Sequence, residues 1–231
     1  MRIWIPKVVN ILAFETSSEK GSVALQVDKD ISEESIATPR QQTEQLLPLA
    51  QKLLASAELR LADLDGIAFG RGPGSFTGLR VAAAAAQGLG LASGFPLLPI
   101  SSLAAIAQGL WRAHGIRSAL VCIDAHMGEV FWAGYNLCDG LAQAVGEERL
   151  TEPMVVSADG LAEWTAAGSG FAVYKSPLEP LVGCARSVLT EARPRAMDLF
   201  PQAVLDLVEG RGRRPEEATP VYLRSEAAWQ K

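Results

Sequence analysis

The chain has 231 residues, 48% of them hydrophobic, with 26 acidic against 21 basic side chains, a net charge of -5 and a pI near 5.2. That length fills one large domain or two small ones, and the acidic balance excludes a protein that grips nucleic acid by itself, since phosphate binding needs a basic footprint. Three widely spaced cysteines, Cys122, Cys138 and Cys184, form no C-x-x-C pair and cannot all pair within one chain, so reduced thiols and a cytoplasmic address are expected.

The start, from Met1 to Phe14, superficially suggests a signal peptide. Pro6, Lys7 and Asn10 interrupt it, and Glu15 stands where a small-residue cleavage site would be. No apolar run approaches the roughly 18 to 20 residues that span a bilayer, and no membrane association is expected. The run Val8 to Phe14 then reads as a strand ending at Glu15, followed by a polar turn and a second strand, Ser22 to Val27. The same arrangement returns at Ala119 to Ile123, Asp124, the turn Ala125 to Gly128 and the run Glu129 to Tyr135. The halves are weak copies of one unit, with lobes expected over 1–100 and 101–231.

Between the hairpins, helix and strand patterns alternate. Thr43 to Glu58 carries apolar residues at three- and four-residue spacing, with Pro48 as a kink or first-turn residue. Leu64 to Phe69 is a strand, Gly70 to Gly78 a glycine-rich loop, Leu79 to Ala92 a helix and Leu97 to Ile100 a strand. Ser101 or Ser102 is placed to cap a helix carrying Leu103, Ile106 and Leu110. Further on, Leu161 to Ala167 reads as a short helix, Phe171 to Tyr174 as a strand and Ala196 to Val208 as a helix. Arg211 to Glu217 reads as an exposed loop and Pro220 to Arg224 as a short strand or docking segment. Strands separated by helices imply an α/β sheet with helical faces.

The densest chemical signal is Gly70-Arg-Gly-Pro-Gly-Ser-Phe-Thr-Gly-Leu-Arg80, between a strand and a helix. Gly72, Gly74, Ser75, Thr77 and Gly78 could cradle a phosphate with backbone N–H groups at the helix N-terminus. The segment matches neither the P-loop nor G-x-G-x-x-G, and a tight connection packed through Gly74 and Gly78 is the competing reading. Glu15 and Asp124 are either acid/base or metal-holding groups or ordinary turn residues. His114 and His126 lack any metal-ligand spacing, Cys122 reads as a buried inert thiol, and no serine sits in G-x-S-x-G. Neither a catalytic constellation nor a metal site is expected.

In the helix Leu79 to Ala92 the only strongly polar side chains, Arg80 and Gln87, share nearly one azimuth. The first long helix also has an apolar arc wider than the stripe of about 100° that one-sided burial needs. These helices are buried between the chain's own layers, or they meet a partner through Leu46, Leu47, Leu53, Leu54, Ala82, Ala83, Ala85, Ala86 and Leu89.

The segments Ile11 to Leu25, Gly70 to Arg80, Ala86 to Ala92, Ile123 to Tyr135 and Pro220 to Arg224 together resemble the TsaB (YeaZ) family. The likeness is strong from about residue 8 to 137, with GRGPGSFTGLR followed by A-Q-G-L its most specific part; residues 140–218 match loosely. The resemblance implies the actin/hexokinase/Hsp70 fold: two related α/β lobes with mixed sheets flanked by helices. It further implies a non-catalytic partner of a TsaD homologue, which carries the metal and moves threonylcarbamoyl from its adenylate to N6 of the adenosine 3′ of the tRNA anticodon. A TsaE homologue, a small ATPase, joins them. On this resemblance the chain alone is a homodimer without a tightly bound cofactor, ATP or ADP belongs to the complex, and tRNA is met only through it. The family often has Asp where Glu15 stands and His where Gln42 stands, and residues 1–7 read as an extension. An independent ATP-dependent small-molecule kinase or transferase of the same fold is the alternative.

Overall fold

The computed structural model describes residues 9–224; the expected extension over 1–7 lies outside them. Two compact units emerge, one of residues 9–71, 75–100 and 195–220, the other of residues 72–74, 101–194 and 221–224. The chain passes from the first unit to the second after residue 100, and 195–220 returns to the first.

The first unit holds β1 (Asn10–Glu15), β2 (Gly21–Val27), β3 (Asp30–Ile36), α1 (Pro39–Ser56), β4 (Gly66–Gly72), α2 (Phe76–Ser93) and β5 (Leu97–Ser101). Its sheet runs β3-β2-β1-β4-β5, with β1 antiparallel to β2 and parallel to β4. Leu12, Phe14, Val23, Leu25, Ile67 and Phe69 form one core with α1 and α2. The alternate residues Ile11, Ala13, Ala24 and Ala68 are equally buried, which is why these central strands read as unbroken apolar runs. α6 (Phe200–Val208) packs on β1.

The second unit adds α3 (Ser102–His114), β6 (Ser118–Asp124), β7 (Val130–Cys138), β8 (Leu141–Thr151), β9 (Thr165–Ala167), α4 (Gly170–Val173), α5 (Lys175–Val182) and β10 (Ser187–Leu189). Its sheet order, β10-β9-β6-β7-β8, is the order of the first sheet when strands are counted within the unit. Here too the first strand is antiparallel to the second and parallel to the fourth. Val121 and Leu120 point to opposite sides, one into a cluster with Leu103 and Ile106, the other into a cluster with Trp132, Trp164 and Phe171.

Two assignments are corrected. Leu161 to Ala167 is not a helix, for its apolar end is β9, flanked by β6 and β10 and fully buried. Phe171 to Tyr174 is not a strand, since Gly170–Val173 is a helical turn. A side chain at Gly170 would meet Cys122 Sγ at 2.6 Å, so close approach to β6 decides a backbone that short apolar runs leave ambiguous. The polar strands β3 and β8 gave no alternation and are held by their ladders with β2 and β7. Ser101 is the N-cap of α3, its Oγ accepting from Ala104 N at 3.1 Å.

The returning segment is fastened by polar contacts. Glu33 accepts from Arg195 Nε at 2.8 Å and from Met197 N at 3.1 Å, Ser22 Oγ from Ala196 N at 2.8 Å, and Ala218 O from Gln87 Nε2 at 3.1 Å. The Glu33 side chain is only 5% exposed while Arg195 is 48% exposed and can turn to water, so Glu33→Ala leaves chiefly the part-buried Met197 N–H unmatched and is expected to cost about 1 kcal/mol in urea unfolding. Glu34→Ala, which removes only the exposed pair with Lys52, should stay within about 0.5 kcal/mol of the parent.

Candidate functional site

The parallel register Phe14↔Phe69 brings Glu15 beside Gly70. The Glu15 carboxylate is fully buried and its Oε1 accepts from Ser17 N at 2.6 Å. A Cβ on Gly70 would lie 2.0 Å from Glu15 Oε2, and a Cβ on Gly78 would lie 1.8 Å from Thr16 O. The Gly78 position, closed by backbone, admits glycine only, whereas a side chain at Gly70 would displace the Glu15 carboxylate. Thr16 Oγ1 donates to Gly78 O at 2.6 Å, and Ser75 N donates to Ser17 O at 2.8 Å. From α1 the buried Gln42 donates through Nε2 to Ser18 O at 2.9 Å.

The expected loop from Gly70 to Gly78 is therefore much shorter. Gly70 to Gly72 belongs to β4 and Phe76 to Gly78 to the first turn of α2, which leaves Pro73, Gly74 and Ser75 as the connection. Gly72 has φ 102°, in the region that favours glycine. Ser75 caps α2, its Oγ accepting from Gly78 N at 3.3 Å. Of the residues proposed for a phosphate, Thr77 is exposed, whereas Gly78 N–H is taken by Ser75 and the Ser75 N–H by Ser17. At Gly78 the connection is packed closely against the tip of β1, the feature that the competing reading requires of that glycine.

Six of the nine residues proposed for a partner face, Leu46, Leu53, Leu54, Ala82, Ala83 and Ala86, are buried in the first unit's own core. They are turned inward because α1 buries Leu46, Ala50, Leu53 and Leu54 and α2 buries Leu79, Ala82, Ala83, Ala86 and Gly90. Leu47 remains 44% exposed, and Ala85 and Leu89 are half-buried. Beside these an apolar groove of about 520 Å³ opens between α1 and α2, lined by Thr43, Leu47, Phe76, Val81, Ala84 and Ala85 among others. The Arg80 guanidinium stacks 3.8 Å above the Phe76 ring at its rim. The wide apolar arc thus serves two surfaces, with small residues on both.

In the second unit Asp124 ends β6 as Glu15 ends β1. Its Oδ1 accepts from His126 N at 2.8 Å and from the Tyr174 hydroxyl at 2.9 Å, and its own N–H donates to Ser169 Oγ at 3.0 Å. Loss of water around the phenol, then the bond to Asp124, push the Tyr174 pKa up. His126 Nδ1 lies 3.1 Å from Asp124 Oδ2 with the imidazole largely exposed. Burial, reinforced by the Asp124 charge, pushes the Cys122 thiol up, so it stays protonated. Among the described residues no group of three or more His, Cys, Asp or Glu is arranged to hold a metal ion.

Gln42 is singled out in the sequence only as standing where the family often has His. A second signal is its place as a polar residue one helical turn before Leu46, on the face that α1 buries.

Two units that repeat one five-stranded order, each opening on a hairpin with a carboxylate at its tip, define an α/β protein of two related lobes with mixed sheets flanked by helices. A family model described as "TsaD: tRNA N6-adenosine threonylcarbamoyltransferase" matches residues 34–177. The tRNA threonylcarbamoyladenosine biosynthesis protein TsaB of Escherichia coli is 36% identical, over 96% of this chain and 98% of that protein. Its namesake in Haemophilus influenzae is 32% identical, over 96% and 97%. YeaZ from Pseudomonas aeruginosa superposes with a TM-score of 0.85 at 35% identity, covering 93% of this chain and 100% of the other. A second Pseudomonas aeruginosa structure, of an uncharacterized protein with similarity to peptidase YEAZ, gives 0.87 at 36%, covering 94% and 100%. The chain belongs to the TsaB (YeaZ) family.

Two glycines of α2 separate packing from propensity. Gly78→Ala drives a methyl group into the Thr16 carbonyl and is expected to cost more than about 3 kcal/mol or to prevent folding. Gly88→Ala has nothing within 4 Å of the added carbon and should stabilise by about 0.5–1 kcal/mol. Chemical denaturation of the two variants checks both signs.

Proposed function

We propose that the chain serves tRNA threonylcarbamoyladenosine biosynthesis as a non-catalytic partner of a TsaD-type transferase. The observation that carries this reading is near full-length similarity to proteins named for that pathway. The match to a TsaD family model supports it, because a transferase of that family would share this fold and offer equivalent helices. So does the spending of polar groups at the β1 tip on packing, with Gly78 closed against Thr16 and Ser75 used as a helix cap.

In this reading the outer side of α1 and α2, around Leu47, Ala84 and Ala85, packs against the matching helices of the partner. Small residues there let helices approach closely. In the absence of the transferase the same side meets a second copy of the chain. The transferase holds the metal and the reacting groups, a TsaE-type ATPase joins the pair, and ATP or ADP is held by the complex instead of tightly by this chain. tRNA is met through the assembly, in keeping with a net charge of -5, and the work is done in the cytoplasm. No helix among the described residues is long and apolar enough to cross a membrane.

Reconstitution tests the role. With tRNA, threonylcarbamoyl adenylate, ATP and the TsaD and TsaE homologues, modified adenosine measured by mass spectrometry of digested tRNA should appear only when this chain is added. This chain supplied alone with tRNA, ATP, threonine and bicarbonate should form none, and product made without contaminating partners would overturn the reading.

Substitutions along α2 test the face. Ala82 is fully buried, so Ala82→Glu buries an unpaired charge and should lower the melting temperature markedly. Ala84 is exposed and lines the groove. Ala84→Glu should leave melting within a few degrees of the parent while abolishing co-elution with the TsaD homologue. If Ala84→Glu leaves co-elution intact, this face is not the interface.

A further inference from the structure

The turn between β6 and β7 is built in an unfavourable conformation. His126, Met127 and Gly128 have φ of 60°, 57° and 83°, and two of the three carry side chains that disfavour the left-handed region. Such a backbone persists only where its surroundings over-determine it. On one side the Asp124 carboxylate accepts from His126 N at 2.8 Å. The other side is held by Arg224, about a hundred residues along the chain and only 9% exposed. Its Nη2 donates to Ala125 O at 3.0 Å, to His126 O at 3.3 Å and to Glu129 Oε2 at 2.7 Å, and its Nη1 contacts Met127 Sδ. Leu223 packs against the cluster that contains Ala125 and Phe131. Thus one planar guanidinium gathers acceptors from four residues of a single turn, a task that its fork of donors suits and a lysine ammonium does not.

We infer that Arg224 is a latch, by which docking of the segment Val221 to Arg224 holds the Ala125–Gly128 turn in its left-handed form, and that undocking releases the turn. The tip presents His126 and Met127 to solvent, Met127 being 67% exposed. A partner that reads this shape is therefore coupled to docking of the C-terminal segment, and by linkage the coupling runs both ways. Whatever pulls the segment away loosens the tip.

Amide exchange of the full chain, followed residue by residue by NMR, tests the latch. The reporters are the Ala125 and Glu129 amides, which close the turn by bonding Glu129 O at 3.0 Å and His126 O at 3.2 Å. In Arg224→Ala these two should exchange on the order of tenfold faster, with Val121 and Cys122 in the strand unchanged. Arg224→Lys should also exchange faster than the parent. Adding Met127→Gly to Arg224→Ala should restore much of the slow exchange, because glycine takes a positive φ without the steric cost. Unchanged exchange at Ala125 and Glu129 in Arg224→Ala overturns the latch. Equal acceleration at Val121 and Cys122 does so too, since Arg224 would then be a general anchor of the fold, and so does failure of the glycine to restore protection.

Discussion

The carbonyl oxygen of Thr16 comes so close to Gly78 that no side chain fits between the tip of β1 and the first turn of α2. A helix that approaches a strand end this closely is fixed in position and rotation. Three hydrogen bonds lock the approach: Thr16 Oγ1 to Gly78 O, Ser75 N to Ser17 O and Gln42 Nε2 to Ser18 O. The last brings α1 to the same point, so the tip of one strand orients both long helices of the first unit. On the other flank Gly70 leaves room for the Glu15 carboxylate, so β1, α1 and α2 of the first unit meet at one point.

Rotation fixed in this way determines which residues of α2 are core and which are surface. Leu79, Ala82, Ala83, Ala86 and Gly90 are turned inward, and Gln87 is drawn toward Ala218 O, where the segment 195–220 closes over the unit. Val81, Ala84 and Ala85 are left along the groove with Phe76 and Leu47. An apolar helix outside a core costs solubility unless something covers it. The same constraint that packs the interior therefore sets out a face of small residues suited to another helix.

Elements with a strong local pattern were legible in the chain: the two hairpins, the two long helices, the Ser101 cap and the internal repeat. What escaped depended on contacts remote in sequence. Asp30 to Ile36 is polar between its two isoleucines and becomes a strand only because β2 offers it a ladder. Thr165 to Ala167 is too short for any period to show. The return of 195–220 to the first unit rests on Glu33 and Ser22, far earlier in the chain. At the glycine loop residue type was legible but purpose was not: glycine marks a positive φ and a close backbone approach alike, and only Gly72 serves the first while Gly70 and Gly78 serve the second. The apolar arc of α2 was legible, but sequence spacing could not tell its buried part from the part that lines the groove.

Glu15 and Asp124 occupy equivalent positions in the repeat, and their environments bear on whether either does chemistry. A general base needs a lone pair free to reach a substrate proton. Glu15 is fully buried, with one oxygen accepting from Ser17 N and the other against Gly70. Asp124 accepts from His126 N and the Tyr174 hydroxyl while its second oxygen faces His126 Nδ1. Each carboxylate thus serves as an acceptor that shapes the turn following its strand. The two tips are then secured differently, the first by the backbone of α2 and the second by the guanidinium of Arg224. A backbone lock cannot be withdrawn without unfolding the helix that supplies it, whereas a side-chain lock can open while the sheet stays intact. Of the two repeated hairpins, the second is the one whose tip can change shape.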